Sequence, residues 1–125
     1  MLREYELTVI AKPQTTADEL KKYMDRYESL FQADGGDIVR KEDWGVRKMA
    51  HEIKKTFKAH YLHYNINTTS KNLAEAERLM RLDEEVLRYL TVRVGENINV
   101  EDRRIELETL AQKRLAKVDM DTPRF

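Results

Sequence analysis

The chain has 125 residues, 41% apolar and 37% charged, and its 23 basic and 23 acidic side chains cancel to a formal net charge of +0. That length fits one domain with a real core, and the high charge fraction predicts a thin fold with much solvated or partner-facing surface. Zero net charge excludes a grip on nucleic acid by total charge alone. The lack of cysteine excludes disulfides, thiolate metal sites and cysteine nucleophiles.

The opening Met1-Leu2-Arg3-Glu4-Tyr5-Glu6 carries acids at once and no long apolar run. It reads as neither a signal peptide nor a transit peptide, and no stretch approaches the roughly 18 apolar residues of a membrane span. The expectation is a soluble intracellular protein with no membrane partner.

Residues 4–11 alternate, with Tyr5, Leu7, Val9 and Ala11 on one face and Glu4, Glu6 and Thr8 on the other. This predicts a half-buried strand that Lys12-Pro13 ends. Thr15 or Thr16 is placed to cap a helix whose apolar stripe is Leu20, Tyr23, Met24, Tyr27, Leu30 and Phe31. Gly35-Gly36 stops it. From Asp37 to about Ile53 a long strand follows, bent near Gly45, and Lys58 to Thr68 is a third. On that third strand His60, Leu62, Tyr64 and Ile66 share one face, and Tyr61, His63, Asn65 and Asn67 the other. The basic link Lys54-Lys55-Thr56-Phe57-Lys58 reads as an extended hairpin loop. Ser70 caps a second helix with Leu73, Ala76, Leu79 and Met80 as its stripe, and Val86 to Val94 is a fourth strand closed by Gly95.

The order strand, helix, strand, strand, helix, strand is the ferredoxin-like split βαβ (βαββαβ) pattern of the α+β class. It predicts a four-stranded antiparallel sheet with both helices on one face. Residues 1–95 form this domain. Residues 96–125 are charged with sparse apolar positions, and read as a tail, either disordered or a marginal helix.

Catalytic chemistry has little to work with. His60 and His63 are three apart on a strand and diverge, which leaves no joint metal site with His51. Ser29 and Ser70 lie in no nucleophile elbow, and the four glycines make neither a P-loop nor a dinucleotide fingerprint. Asp83-Glu84-Glu85 diverges at a turn and reads as solvated charge. The reading is a non-enzyme without metal, cofactor or small-molecule substrate.

The stretch from Arg40 to His63 is more informative. Its basic residues are Arg40, Lys41, Arg47, Lys48, Lys54, Lys55 and Lys58, against Glu42, Asp43 and Glu52. This is a local excess of four positive charges, interleaved with Trp44, Phe57, Tyr61 and Tyr64. Cations that meet phosphates and rings that meet bases or riboses suit RNA; a solvated hairpin with its rings in the core is the plainer alternative.

Three stretches carry a family resemblance. Arg3-Glu4-Tyr5-Glu6 resembles an R-x-Y-E opening, Trp44 to Lys55 a strand-2 signature close to G-x-R-x-L-A-Y-x-I-K-K, and Arg81 to Arg93 the run R-L-x-x-x-V-L-R-Y-x-V-x-R. Together they resemble the bacterial sixth small-subunit ribosomal protein family over about residues 1–95. Met49, His51 and Ala59 depart from its usual leucine, tyrosine and glycine. The resemblance implies the ferredoxin-like fold, a heterodimer with the eighteenth small-subunit ribosomal protein, and binding of the pair to the central domain of small-subunit rRNA in the ribosome of the cytoplasm. By position it implies Arg3, Arg47, Lys48, Lys54 and Lys55 as RNA-binding residues, then Arg88 and Arg93. The acids Glu4, Glu6, Glu42 and Asp43 are left to face a basic partner. Two other readings compete. An RRM-type module would need RNP aromatics that His60 to Ile66 lacks, and a small-molecule domain would need a pocket with convergent polar groups.

Overall fold

The computed structural model describes residues 1–53 and 56–121. Strand β1 spans Leu2–Ala11, helix α1 Ala17–Gln32, β2 Asp37–Ile53, β3 Thr56–Thr69, α2 Ser70–Leu82, β4 Val86–Glu96 and α3 Val100–Asp121. The sheet runs β2-β3-β1-β4 with every neighbouring pair antiparallel. This is the expected ferredoxin-like α+β arrangement.

The core lies between one sheet face and two helices. Tyr5, Leu7, Val9 and Ala11 of β1 pack with Leu62, Tyr64 and Ile66 of β3 and Val86 of β4. Leu20, Met24, Tyr27 and Phe31 of α1 and Leu73, Ala76 and Met80 of α2 cover them. Each Val, Leu, Ile, Phe or Met side chain taken fully from water contributes about 1.5–3 kcal/mol. Polar anchors fix the helices at the core's edge. Tyr64 donates from its hydroxyl to Glu28 Oε2 at 2.7 Å, and the Tyr27 hydroxyl donates to Asp83.

Several local expectations are corrected. Thr69, not Ser70, caps α2: its hydroxyl accepts from the Asn72 amide at 3.1 Å. Asp83 is not solvated charge, because it receives Arg26 and Tyr27 at the mouth of the core, while Glu85 receives the Tyr23 hydroxyl. Strand β3 begins at Thr56, two residues before the expected start at Lys58, so Phe57 is strand, not loop. Tyr64 is buried in the core and unavailable as a surface ring. The bend in β2 is real: Gly45 has φ +74° and the β2–β3 register shifts between Asp43 and Gly45. Of the two readings of the C-terminal segment, the structure places a helix over residues 100–121, and that helix lies on the sheet face opposite α1 and α2.

Candidate functional site

The face opposite the two helices carries the remaining chemistry, and the strand register orders it in rows. One row holds Gly95, Glu4, Asn67 and Asp37; the next Val92, Glu6, Asn65 and Arg40; the next Leu90, Thr8, His63 and Glu42; the last Arg88, Ile10, Tyr61 and Gly45. Four acids, Glu4, Glu6, Asp37 and Glu42, thus share the first three rows with Arg40. Arg88 stands in the fourth. Alternation across a pleated sheet puts these side chains on one face once the apolar set of β1 and β3 has turned to the helices.

Helix α3 lies over the acidic rows. Arg103 donates from Nε to Glu4 Oε2 at 2.7 Å, and Glu4 is 1% exposed. That hydrogen bond first, and then one to Glu106, pushes the Arg103 guanidinium above its ordinary range. Arg104 donates to Asp37 Oδ1 at 3.0 Å and to the main-chain oxygens of Ile38 and Val39 at 2.9 and 3.3 Å. Arg40 donates to Glu108 at 2.5 Å, which holds the Glu108 carboxyl below its usual range. Beyond these ties a cleft of about 380 Å³ opens between α3 and the sheet, lined by Glu6, Asn65, His63 and Glu42 below and Leu107, Leu110, Lys113 and Arg114 above. Sequence reasoning missed this arrangement. Arg103 and Glu4 are 99 residues apart, and no short-range pattern joins them.

The β2–β3 hairpin end is built differently. Trp44 and His63 stack with centroids 5.0 Å apart and planes within 7°. The Arg47 guanidinium lies 5.3 Å from the Trp44 ring centre, while its Nε donates to the Trp44 carbonyl oxygen. His63 Nδ1 is 3.1 Å from Thr8 Oγ1, whereas His60 Nε2 is 2.6 Å from Asp43 Oδ1. Met49, Ala59 and Leu87 form a small buried cluster with Ile10 and Tyr61 that stiffens this end. The two family departures Met49 and Ala59 therefore serve packing. Among the described residues no three His, Asp or Glu side chains converge as metal ligands, and no helix is long and apolar enough to cross a membrane.

The basic residues expected from sequence fall into two groups. Arg47 and Lys48 sit opposite Ala59 and Lys58 near the hairpin, and Arg88 sits opposite Ile10 at the same end of the sheet. All three are exposed. Arg3 and Arg93 lie at the other end, where Arg3 is half-buried opposite Thr68 and Glu96, and Arg93 is tied to Glu96 at 3.1 Å. Lys54 and Lys55 fall outside the described residues, as does the side chain of His51. On β4 the apolar side chains of Leu90, Val92 and Val94 remain exposed along the edge.

A model of the ribosomal protein S6 family matches residues 4–93. Small ribosomal subunit protein bS6 of Methylobacterium nodulans is 40% identical over 90 residues, which cover 72% of this chain and 67% of that protein. The bS6 protein of Granulibacter bethesdensis is 39% identical over 92 residues, covering 74% and 60%. The matched segment therefore spans about two thirds of these relatives at most. The crystal structure of 30S ribosomal protein S6 from Thermotoga maritima superposes with a TM-score of 0.68 at 27% identity, over 92% of this chain and 99% of that one. These relatives are ribosomal proteins, not enzymes, and the family match takes in nearly the whole βαββαβ domain. The chain belongs to the ribosomal protein S6 family of the small ribosomal subunit.

Proposed function

We propose that this chain is a non-catalytic assembly protein that binds the central domain of small-subunit rRNA as a heterodimer with the eighteenth small-subunit ribosomal protein. The cytoplasmic bacterial ribosome is then its place of action. The domain that does this is residues 1–95, and residues 96–125 are an appendage to it. The observation that supports the reading best is the polarity of the sheet from its hairpin end to its acidic rows. Exposed Arg47 and Arg88 stand at the hairpin end of the face opposite α1 and α2, with exposed Lys48 at the same end on the other face, while Glu4, Glu6, Asp37 and Glu42, with Arg40, occupy the rest.

Cations at one end suit phosphates, with Lys54 and Lys55 extending the set in sequence. Carboxylates repel phosphates but attract a basic protein. One neutral chain thereby offers each partner its own surface. Arg3 and Arg93, at the far end, complete the candidate RNA-binding set.

Tagged protein expressed in a bacterial host tests the reading. It is expected to sediment with small subunits in a lysate gradient, and to leave that position when Arg47, Lys48, Lys54 and Lys55 are reversed to Glu. Sedimentation at the top of the gradient for the unaltered protein would refute it.

A further inference from the structure

Helix α3 sits on the sheet with only a thin apolar seam, half-buried Leu107 and buried Ala111. Its side chains at Ile105, Leu110 and Leu115 are exposed, and Ala111 is the buried one among the described positions. Ion pairs do the holding: Arg103 to Glu4, Arg104 to Asp37 and Glu108 to Arg40. Pairs of the latter two kinds are partly exposed and weaken in salt. Beneath the helix, amide side chains offer hydrogen-bonding groups that no other described side chain or main chain takes up. Asn65 is 3% exposed and lines the cleft, and neither end of its amide has a partner among the described residues. Asn67 is 5% exposed, pairs in register with both Glu4 and Asp37, and its Oδ1 is likewise unpaired. Polar groups that face such a cleft take hydrogen bonds from whatever fills it.

The chemistry of the floor specifies that occupant. On the sheet side, four carboxylates and two amides share three rows with Arg40 as their cation, while the other cations, Arg103, Arg104, Lys113 and Arg114, come from α3 itself; with α3 away, that floor disfavours phosphates and suits guanidinium donors. The two arginines already seated there, Arg103 and Arg104, show what fits. We propose that α3 is a displaceable strap, holding in cis the surface that an arginine-bearing segment of a basic protein partner takes in trans. The partner's arginines replace Arg103 and Arg104 on Glu4 and Asp37, and its polar groups satisfy Asn65 and Asn67. The exposed β4 edge at Leu90, Val92 and Val94 then extends the docked area. This rests on the heterodimer reading above and adds that the interface is occupied before the partner arrives.

The full chain and its Arg103→Ser/Arg104→Ser variant are compared, with purified eighteenth small-subunit ribosomal protein as the probe. Amide hydrogen exchange follows α3, and titration calorimetry follows affinity. Displacement predicts that α3 amides lose protection when the probe binds. The variant loses α3 protection on its own and binds the probe more tightly, about tenfold if the strap leaves about a tenth of the molecules open. Binding with α3 still protected and equal affinity for the variant would overturn the strap and leave the heterodimer standing. No binding to either form would overturn both. A concentration-dependent dimer of the variant alone would name a second copy as the occupant and overturn the choice of partner.

Discussion

Arg103 reaches across 99 residues of sequence to place its Nε 2.7 Å from a carboxylate oxygen of Glu4 that is almost completely buried. Gly95 makes room for this pair, since a Cβ there would lie 2.9 Å from the other Glu4 oxygen. The contact ties the appended helix to the first strand of the domain. A double-mutant cycle with Glu4→Gln and Arg103→Gln, read by urea unfolding, is expected to give a coupling of about 1–2 kcal/mol. Additive single effects would show that the two side chains do not share a bond in solution.

Alkaline stability follows from the core tyrosines. Burial first, and then the hydrogen bond to Glu28, pushes the Tyr64 hydroxyl up; burial and the bond to Asp83 do the same for Tyr27. A folded-state value above the unfolded value of about 10 keeps its stabilising contribution below that pH and loses it as pH rises further. The urea midpoint is therefore expected to fall steeply above about pH 10. Tyr64→Phe should flatten part of that fall, at a cost of about 1 kcal/mol at neutral pH from the lost bond to Glu28, whose Oε2 keeps Lys41 at 2.7 Å. An identical alkaline slope in wild type and variant would contradict the assignment.

The two adjacent glycines after α1 are not equivalent. Gly35 has φ +82° with open space around it, so Gly35→Ala costs about 1 kcal/mol through backbone conformation alone. At Gly36 a Cβ would stand 2.0 Å from the Phe31 carbonyl oxygen, main chain that cannot yield. Gly36→Ala is expected to cost about 3 kcal/mol or more. Equal midpoints for the two variants in urea would count against this packing.

Legibility from sequence followed the range of the interaction. Alternation at Tyr5, Leu7 and Val9 and the stripe from Leu20 to Phe31 are local patterns, and both landed in the core. The face assignment of Tyr61, His63, Asn65 and Asn67 was equally local and placed them opposite the helices. What escaped was set by tertiary partners. Asp83 looks like turn charge until Tyr27 and Arg26 arrive from α1, 56 and 57 residues away. The helix over residues 100–121 lacks the apolar period that announces a docked helix, because arginine-to-carboxylate ties hold it instead. Period also cannot choose a side: Leu90, Val92 and Val94 alternate like core yet stay exposed at the sheet edge.

The two groups of basic residues should separate in function. Reversing Arg47, Lys48 and Arg88 to Glu is expected to weaken rRNA binding by the heterodimer and to lower the slope of log K against log salt. The decrease is about 0.7–0.9 per lost phosphate contact. All three are exposed, so the urea midpoint should barely move. An unchanged slope would place the RNA surface elsewhere.

The central claim, that this chain contributes to rRNA binding jointly with a basic partner, is tested most directly by titrating a central-domain rRNA fragment at physiological salt. The fragment meets this chain alone, the eighteenth small-subunit ribosomal protein alone, and then both. With +0 net charge, this chain alone is expected to bind weakly or undetectably, since non-specific affinity comes almost wholly from phosphate neutralisation. The mixture is expected to bind tightly, and RNA should strengthen the protein–protein contact by the same factor. Binding by this chain alone as tight as that of the mixture would contradict the account.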